Sequence, residues 1–391
     1  MNKIKRLEII LKTVERCNIN CTYCYFFHGG DESYKFHPPF IAHETIVEIA
    51  KFLKQGCKEL SIESLQIDFH GGEPLMQKKQ AFDKMCEYFK SELENVVNLE
   101  FALQTNAMLV NEDWIKLFEK YNVKIGISLD GPKKYNDVAR VDFKNKSTYD
   151  KVVQGLNLLN KAADEGRIVK PGLLCVINPK FSGKEIYRHF VDNLNVTAMD
   201  FLLPDFTHDS FIEHTDLTGL TAIDYGNYLC NIFDEWAKDD NPNISIRLLD
   251  STMLLLLGKR PTLLNFGYTE SLVTAFTISS NGDLGPDDTL RPTKLMNSGK
   301  NVNNASLKEF LAAPIYNMIE KSIKTMPKNC TECCWEKICK GHMLVNRYSN
   351  DNGFNNPSIM CEGLKKLYSH VSSYLITKGL PYNKIEQVLG M

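Results

Sequence analysis

Short apolar runs alternate with longer amphipathic segments over about the first two hundred residues of the chain. Between these runs, Ile46, Ile49, Ala50 and Leu53 follow the i, i+3, i+4, i+7 spacing of one helix face, and Gly56 predicts the end of that helix. This alternation is typical of a parallel sheet with crossover helices. The predicted strands are 7–13, 65–69, 99–105, 123–129, 172–177 and 198–203.

Six strand–helix units are two short of the number that closes a complete barrel. The sequence therefore predicts an α/β fold with a partial (β/α)6 barrel that is open on one side. Functional residues of such barrels lie at the C-terminal ends of the strands. We expect the chemistry of this chain in the loops that follow its strands.

The pattern changes after about residue 204. Helices are predicted at 225–238 and 250–257, and a predicted strand at 273–279 leads into Asn281-Gly282, a signal for a tight hairpin. Ser306 and Glu309 form a capping box ahead of a further helix, and a cysteine-rich segment follows at 330–361. These features predict a second, smaller module.

Composition excludes several classes of protein. Hydrophobic residues make up 43% of the chain, enough for a sizeable core, so a disordered or fibrous protein is excluded. The net charge of −2 gives no indication of nucleic acid or an anionic membrane as a partner. The apolar run 253–257 is far shorter than the roughly 20 residues that cross a bilayer. We expect a cytoplasmic protein without a membrane segment or a cleaved signal.

Twelve cysteines are many for such a chain, and most of them fall into two groups. Cys17, Cys21 and Cys24 follow the first predicted strand, where a barrel places its chemistry. A structural zinc site has four ligands, whereas a [4Fe–4S] cluster on three cysteines leaves one iron open for another ligand. The first group therefore favours iron–sulfur. Four other cysteines lie among apolar residues and are interpreted as buried free thiols: Cys57, Cys86, Cys175 and Cys230.

A second motif, His70-Gly71-Gly72-Glu73-Pro74, ends the second predicted strand. Paired glycines allow a ligand to approach the backbone closely, and Glu73 can accept hydrogen bonds from an ammonium group. By itself a Gly-Gly turn is weak evidence. Because this turn lies one strand–helix unit after a three-cysteine loop, it predicts a ligand site.

Together, Cys17-Asn-Ile-Asn-Cys21-Thr-Tyr-Cys24 and Gly71-Gly72-Glu73-Pro74 resemble the motifs of radical S-adenosylmethionine (radical SAM) enzymes over about residues 5–205. The resemblance implies a [4Fe–4S] cluster that binds S-adenosylmethionine and cleaves it to a 5′-deoxyadenosyl radical. It also implies cofactor contacts from the glycine–glutamate–proline turn, Tyr23, Asn106, Ser128 and Arg140. The resemblance implies that the turn binds the methionine ammonium and that Tyr23 lies near the adenine. It places Asn106 in the lining of the cofactor or substrate pocket. Ser128 and Arg140 would bind the carboxylate and ribose region of the cofactor.

The C-terminal cysteines resemble the auxiliary-cluster module called SPASM, with the spacing Cys330-x2-Cys333-x5-Cys339 followed by Cys361. The full module carries a second ligand set, but here Met343 and Asp287 stand at positions where that set has cysteines. We therefore expect one auxiliary [4Fe–4S] cluster on these four cysteines, with a zinc knuckle as the alternative. The resemblance divides the chain into a radical SAM partial barrel at 1–210, a bridging region with a hairpin at 211–300, and a SPASM-like module at 301–391.

Radical SAM chains with such a module mostly modify peptides, so the resemblance implies a precursor peptide as substrate and an electron donor such as flavodoxin or ferredoxin. The cysteine-loop segment and Asp287-Asp288-Thr289-Leu290 most resemble maturases that form cyclophanes, in which an aromatic ring is joined to a Cβ atom. Asp288 aligns with a catalytic base in sulfatase maturases and is predicted to accept the proton. The alternatives are a sulfatase-type (formylglycine) maturase, a thioether-forming or epimerising enzyme, and a non-catalytic electron carrier. Because the first strand begins near Met1, leader recognition is expected on the barrel rim, the C-terminal module or a separate protein.

Overall fold

The protein, in a computed structural model, is described over residues 4–261 and 275–391. It divides into two compact units. The first comprises Met1–Leu129, Asn136–Gly172 and Glu270–Glu320, and the second comprises Asp130–Tyr135, Leu173–Thr269 and Lys321–Met391. The domain boundaries predicted from the sequence stay predictions.

Strands and helices alternate through the N-terminal half of the chain, as the apolar pattern predicts. The elements are β1 Arg6–Val14, α1 Tyr25–His28, α2 His43–Leu60, β2 Ser64–Gly71, α3 Lys79–Leu93, β3 Asn98–Thr105, α4 Glu112–Tyr121, β4 Lys124–Ser128, α5 Lys133–Ala139, α6 Tyr149–Asp164, β5 Gly172–Val176, α7 Gly183–Arg188 and β6 Ala198–Leu202. Each of the six predicted strands is confirmed to within two residues.

The remaining elements are mostly helical. They are α8 His208–Thr218, α9 Ala222–Asp239, β7 Ser245–Ile246, α10 Arg247–Leu256, β8 Ala275–Ile278, β9 Asp283–Gly285, β10 Lys300–Asn301, α11 Leu307–Leu311, α12 Pro314–Lys324, α13 Lys328–Thr331, α14 Glu336–Cys339, α15 Cys361–Thr377 and α16 Tyr382–Leu389. The predicted hairpin and capping box are confirmed: β8 and β9 are antiparallel, and Ser306 and Glu309 cap α11 reciprocally. The first two residues of the predicted strand 273–279 lie outside the described residues.

The predicted helix end at Gly56 is wrong. Helix α2 continues to Leu60 and ends at Ser61, which takes the left-handed conformation (φ 53°). A Cβ atom at position 56 would lie 2.6 Å from the Leu307 side chain, so the glycine permits close packing of α11 on α2. Close packing outweighs the roughly 1 kcal/mol by which glycine disfavours a helix interior.

The sheet of the first unit has the strand order β10-β9-β8-β1-β2-β3-β4. Strands β8, β1, β2, β3 and β4 run parallel, whereas β9 and β10 are antiparallel to their neighbours. Because β8 pairs with β1, the segment that follows β9 is brought back to the C-terminal end of the first strand. In the second unit, β5, β6 and β7 form a parallel run.

The two faces of the first-unit sheet differ in character. Alternate residues such as Leu7, Ile9 and Leu11 on β1, or Ile67 and Phe69 on β2, are fully buried and apolar. The opposite face, which we call the polar face, is lined by Arg6, Glu8, Ile10 and Lys12, by Gln66, Asp68 and His70, by Glu100, Ala102 and Gln104, and by Lys124, Gly126 and Ser128. Successive strand residues point to opposite sides, so this face follows directly from the sequence period of two.

The four scattered cysteines at positions 57, 86, 175 and 230 are buried and free, which confirms their interpretation as core thiols. Within the part of the chain that the structure describes, no helix has the length and apolar character needed to cross a bilayer.

Candidate active site

The first cysteine group lies in the loop between β1 and α1. Two backbone hydrogen bonds anchor this loop: Asn20 N–H donates to Val141 O at 2.8 Å, and Thr22 N–H donates to Ala139 O at 3.0 Å. Burial raises the pKa of the Cys17 thiol to about 12, and charge on Cys21 and Cys24 acts in the same direction. The three thiols are therefore close neighbours in a secluded loop, and metal coordination would supply the positive charge that their thiolates need.

The paired glycines pack directly against the chain that leads into this loop. Gly71 has φ 130°, and a Cβ atom there would lie 2.1 Å from Val14 O. A Cβ atom on Gly72 would lie 2.1 Å from Arg16 O, one residue before Cys17. The Gly72 N–H donates to Val14 O at 2.7 Å and the Glu73 N–H to Arg16 O at 2.9 Å. The structure thus brings together the two motifs that the sequence singled out.

Glu73 is almost fully buried (1% exposed) and joins the ends of β2 and β3. Its Oε1 accepts from Leu75 N–H at 3.0 Å and from the Thr105 hydroxyl at 2.7 Å, and its Oε2 accepts from Asn106 N–H at 2.8 Å. Burial nevertheless raises the pKa of this carboxyl. A carboxylate has about four acceptor sites, so one remains on Oε2 for a ligand ammonium.

Arg140 and Tyr23 meet in the same neighbourhood. The Arg140 side chain is buried, and its Nη1 donates to the Tyr23 hydroxyl at 2.9 Å. Burial raises the pKa values of Glu73 and Cys24, and the positive charge of Arg140 opposes that rise. These contacts place a guanidinium, a phenol, a carboxylate and the cysteine loop around one site.

Asn106 and Ser128 lie at the C-terminal ends of neighbouring strands. The Asn106 side-chain amide donates to Asn18 Oδ1 at 2.7 Å and approaches Cys17 Sγ at 3.9 Å. The Ser128 hydroxyl accepts from Gln104 Nε2 at 2.7 Å. Asn106 is therefore in contact with the cysteine loop, while Ser128 stands one strand further along with its hydroxyl held toward Gln104.

Asp288 is buried (6% exposed), so it is not a solvated turn residue. Its carboxylate forms an ion pair with Lys12 and accepts a hydrogen bond from the Tyr25 hydroxyl at 2.6 Å. Burial would raise the pKa of Asp288, but the charge of Lys12 holds it well below its ordinary range. Sequence reasoning missed Lys12, although a lysine inside the apolar strand Leu-Glu-Ile-Ile-Leu-Lys-Thr-Val was a usable signal.

Asp287 has a different environment from its neighbour. Its Oδ1 accepts from Thr289 N–H at 2.9 Å and from the Thr289 hydroxyl at 2.7 Å, so it caps the turn that begins at Asp288. Burial, and then the charge of Asp288, raises the pKa of Asp287 to about 6. The carboxylate that stands in place of a cluster cysteine is thus used by the chain itself.

The C-terminal cysteines lie in the second unit. Cys330, Cys333, Cys339 and Cys361 line one pocket together with Met326, Trp335 and Tyr368. Burial raises the pKa of the Cys330 thiol, and the positive charges of Arg347 and Lys365 oppose that rise. Cys334 is exposed and does not line the pocket. The four predicted ligands are thus gathered, and the leftover cysteine is excluded.

Within residues 4–261 and 275–391, no three His, Cys, Asp or Glu side chains surround one point closely enough for a single metal ion. A [4Fe–4S] cluster is larger, because it holds each cysteine on an iron of its own. The donor chemistry of both cysteine sets, three thiols in the loop and four around the pocket, fits such clusters.

Comparisons with known proteins agree with this geometry. Residues 11–172 match the family model described as the radical SAM superfamily. The chain is 26% identical over 390 residues to a serine-type anaerobic sulfatase-maturating enzyme of Bacteroides thetaiotaomicron, covering 95% of this chain and 91% of that protein. It is 28% identical over 396 residues to a cysteine-type enzyme of Clostridium novyi, covering 97% of this chain and all of the relative.

Solved structures show the same fold. The anaerobic sulfatase-maturating enzyme anSMEcpe, solved with bound AdoMet and a Kp18Cys peptide, matches with a TM-score of 0.80 at 22% identity, covering 95% of this chain and 98% of that one. Residues 11–172 of the chain therefore match the radical SAM superfamily, whose members use a [4Fe–4S] cluster and S-adenosylmethionine, and the protein has the partial-barrel α/β fold of such enzymes with a C-terminal extension.

Proposed function

We propose that this protein is a radical SAM maturase that oxidises the Cβ atom of a Cys or Ser residue in a peptide or protein substrate to the aldehyde of formylglycine. The full-length likeness to sulfatase-maturating enzymes carries this proposal, because the match to the cysteine-type enzyme extends over 97% of the chain and so spans both cysteine groups. That likeness supports the sulfatase-type alternative better than the cyclophane function expected from the sequence.

The residues of the site suit this chemistry. When bound, the loop cluster and S-adenosylmethionine would supply radical chemistry for removing one hydrogen atom from Cβ. In the proposal, Cys17, Cys21 and Cys24 hold the cluster, and Glu73 with the Gly71-Gly72 backbone binds the methionine ammonium. Arg140 is cationic and buried beside Tyr23, which suits the carboxylate of the cofactor.

The oxidation also requires loss of an electron and a proton. The four cysteines of the C-terminal pocket would hold an auxiliary cluster that accepts the electron, and an external donor such as flavodoxin or ferredoxin would provide the electron that starts each turnover. We propose Asp288 as the proton acceptor, because its carboxylate is buried and ionised.

Cyclophane formation is the second candidate. One observation favours it: Asp287, at the position of a cluster cysteine, accepts hydrogen bonds from Thr289 and caps its own turn, which supports the loss of an iron ligand at this position. The single auxiliary cluster predicted from the sequence would distinguish this chain from the sulfatase maturases that it resembles. The cyclophane reaction begins with the same Cβ hydrogen abstraction and also ends with loss of an electron and a proton.

The reconstituted, reduced enzyme should be incubated with S-adenosylmethionine and two sets of peptides, one containing Cys or Ser and one containing short Xaa-Tyr/Trp/Phe-Xaa motifs. Conversion of Ser to formylglycine removes two hydrogen atoms. Conversion of Cys also removes two hydrogen atoms, and water then hydrolyses the resulting thioaldehyde to the aldehyde with release of hydrogen sulfide. Both products react with a hydrazide probe. A crosslink loses two hydrogen atoms without forming an aldehyde, and it suppresses peptide fragmentation between the joined residues.

Hydrazide-reactive product from the first peptide set is the expected result. Crosslinked product from the second set alone would replace the main proposal by the second candidate. No product from either set, with 5′-deoxyadenosine still formed, would contradict both. The variant with Cys17, Cys21 and Cys24 replaced by Ala should form neither 5′-deoxyadenosine nor product.

A further inference from the structure

Lys12 is the feature that the proposed roles leave unexplained. Its side chain is fully buried (0% exposed) near the C-terminal end of β1. Taking an ammonium group out of water costs several kcal/mol even after the protein relaxes, so a buried lysine requires specific partners. Burial is also the largest influence on the pKa of Lys12, which it lowers, while the charge of Asp288 raises it.

The partners of Lys12 converge at the end of the first two strands. Lys12 is the direct neighbour of His70 in the β1–β2 register, and its Nζ lies 3.2 Å from His70 Nδ1. The same His70 nitrogen accepts from Gly71 N–H at 2.9 Å, so it carries no proton and acts as an acceptor. The carboxylate partner of Lys12 within the described residues is Asp288.

Both contacts to Asp288 fall on one of its oxygens. Lys12 Nζ and the Tyr25 hydroxyl donate to Oδ2, and no hydrogen bond from the described residues reaches Oδ1. The side chain of Asp288 keeps 8% of its surface exposed. The Asp288 carboxylate is therefore held by two hydrogen bonds to Oδ2, while Oδ1 keeps its capacity to accept a proton.

The surroundings confine the lysine from the remaining directions. Its Nζ lies 5.1 Å from the centre of the Phe26 ring, and the Arg291 guanidinium lies 4.4 Å from the same ring. Arg291 is paired with Asp31 at 3.0 Å. The other charged groups that act on the pair are Glu15 and Asp287, and Glu15 is itself bonded to His37. Arg291 is therefore paired with the Asp31 carboxylate, and Glu15 with the His37 imidazole. Lys12 and Asp288 form an ion pair with each other.

We propose that Lys12 is a positioning residue for the oxidation: with Tyr25 it clamps Oδ2 of Asp288 and directs Oδ1 toward the peptide as the proton acceptor. This inference rests on the proposed function, in which Asp288 takes the proton lost during oxidation. Lys12 touches neither substrate nor cofactor in this role and acts through Asp288.

The test is Lys12→Met, which keeps the length of the side chain and removes its charge. We expect iron content and 5′-deoxyadenosine formation to stay near those of the parent enzyme. Product formed per 5′-deoxyadenosine should fall by about a hundredfold, the lower end of what a positioned base contributes. Lys12→Arg should restore part of that ratio, and Lys51→Met is the matched control, because Lys51 is an exposed lysine that also pairs with a carboxylate, Glu48 at 2.7 Å.

The pH profile separates positioning from a purely structural role. Without Lys12 the pKa of Asp288 rises, so the acidic limit of product formation should move to higher pH in Lys12→Met and not in the Lys51→Met control. In an Asp288→Asn background, Lys12→Met should change the product ratio no further. An unchanged pH limit, or an additional loss in that background, would overturn the proposal.

The two proposals fail in different ways. Absence of product from the parent enzyme counts against the proposed function. In that case the interaction between Lys12 and Asp288 is tested by measuring the unfolding free energies of Lys12→Met, Asp288→Asn and the double variant. Additive effects of the two substitutions would overturn the proposed interaction. Loss of 5′-deoxyadenosine in Lys12→Met with the fold and iron intact would place Lys12 in cofactor binding instead.

Discussion

Arg140 is a single buried cation that acts on three other residues of the candidate site. It donates to the Tyr23 hydroxyl, and its charge opposes the rise in pKa that burial causes at both Glu73 and Cys24, which belong to separate sequence motifs. Ser128 lies at the end of β4 with its hydroxyl oriented by Gln104. Both side chains are therefore held by the protein before any ligand binds.

We predict that Arg140→Ala and Ser128→Ala each weaken S-adenosylmethionine binding, by about tenfold or more for Arg140, because a charge-assisted hydrogen bond contributes about 1.5–3 kcal/mol. Iron content should be unchanged, since neither residue is a cluster ligand in the proposed site. Isothermal titration calorimetry and iron analysis measure the two quantities.

Arg167→Ala provides the matched control, because that arginine forms its ion pairs at the surface with Glu112 and Glu119. Affinity equal to that of the parent in both Arg140→Ala and Ser128→Ala would show that these residues do not bind the cofactor.

At the scale of elements, the Gly71-Gly72 turn determines how closely β2 approaches the cysteine loop. A Cβ atom on Gly72 would overlap the backbone carbonyl of Arg16 at 2.1 Å, and backbone cannot move aside as a flexible side chain can. We predict that Gly72→Ala displaces the loop, lowers the unfolding free energy by about 1–3 kcal/mol and reduces iron retained at the first cysteine group.

The measurements are iron analysis and denaturant unfolding. Gly219→Ala is the control, because Gly219 has φ 72° and no atom within 4 Å of a built Cβ. That variant should show only the backbone strain of a left-handed alanine and keep its iron. Full iron and normal S-adenosylmethionine cleavage in Gly72→Ala would contradict the close approach described for this turn.

A second element-scale feature is the ion cluster that fastens the segment after α1 to the β8–β9 hairpin. His37 lies 3.0 Å from Glu15 and 3.6 Å from Asp283. Burial alone would lower the pKa of His37, but hydrogen bonds to Asp283 and Glu15 raise it to about 9. The stabilisation is present in full below the ordinary histidine pKa of about 6.5 and is lost as pH rises through about 9.

We therefore predict that the melting temperature falls between about pH 6.5 and pH 9 in the parent protein and falls less steeply in His37→Gln. Scanning calorimetry across that range tests the prediction. His43→Gln removes an exposed histidine at the start of α2 and should follow the parent curve. Parallel curves for the parent and His37→Gln would show that the cluster does not stabilise the fold through its charge.

Much of the fold could be predicted because short apolar runs alternate regularly with amphipathic helical segments from β1 to β6. What could not be predicted depends on contacts distant in sequence. The parallel pairing of β8 with β1 joins residues more than 260 positions apart, as in Glu8 and Ala275, and with the turn after β9 it brings Asp288 to Lys12. Gly56 misled for the same reason, because its packing partner is Leu307.

The residues of the candidate site also differ in whether local sequence patterns or distant contacts bring them together. Its cysteines and the glycine-rich turn are contiguous motifs, so the sequence identified them. Lys12, His70 and Tyr25 form their cluster only through the sheet register and the return of the chain after β9. No local pattern marks such a cluster beyond the presence of a charge within an apolar strand.

At the scale of the whole molecule, two cysteine groups lie in separate compact units. With one cluster in each, anaerobically reconstituted protein should hold about eight irons per chain, and replacing Cys17, Cys21 and Cys24 by Ala should leave about four. Iron and zinc analysis measures both. About twelve irons in the parent would show that Met343 and Asp287 do not mark a lost site, and zinc in place of the last four would remove the proposed electron acceptor.

The polar face of the sheet has a consequence for how this protein can change over time. Parallel strands covered by apolar layers on both sides are apolar throughout, whereas in β1 to β4 one side is mostly apolar and buried and the other carries ions and amides such as Arg6, Gln66 and Glu100. Substitutions on the apolar side remove core contacts and threaten folding. Those at Arg6, Gln66 and Glu100 change ions and amides and leave these apolar contacts in place. Alternate residues of the same strands therefore face different limits on substitution, and this polar set can change without loss of the scaffold.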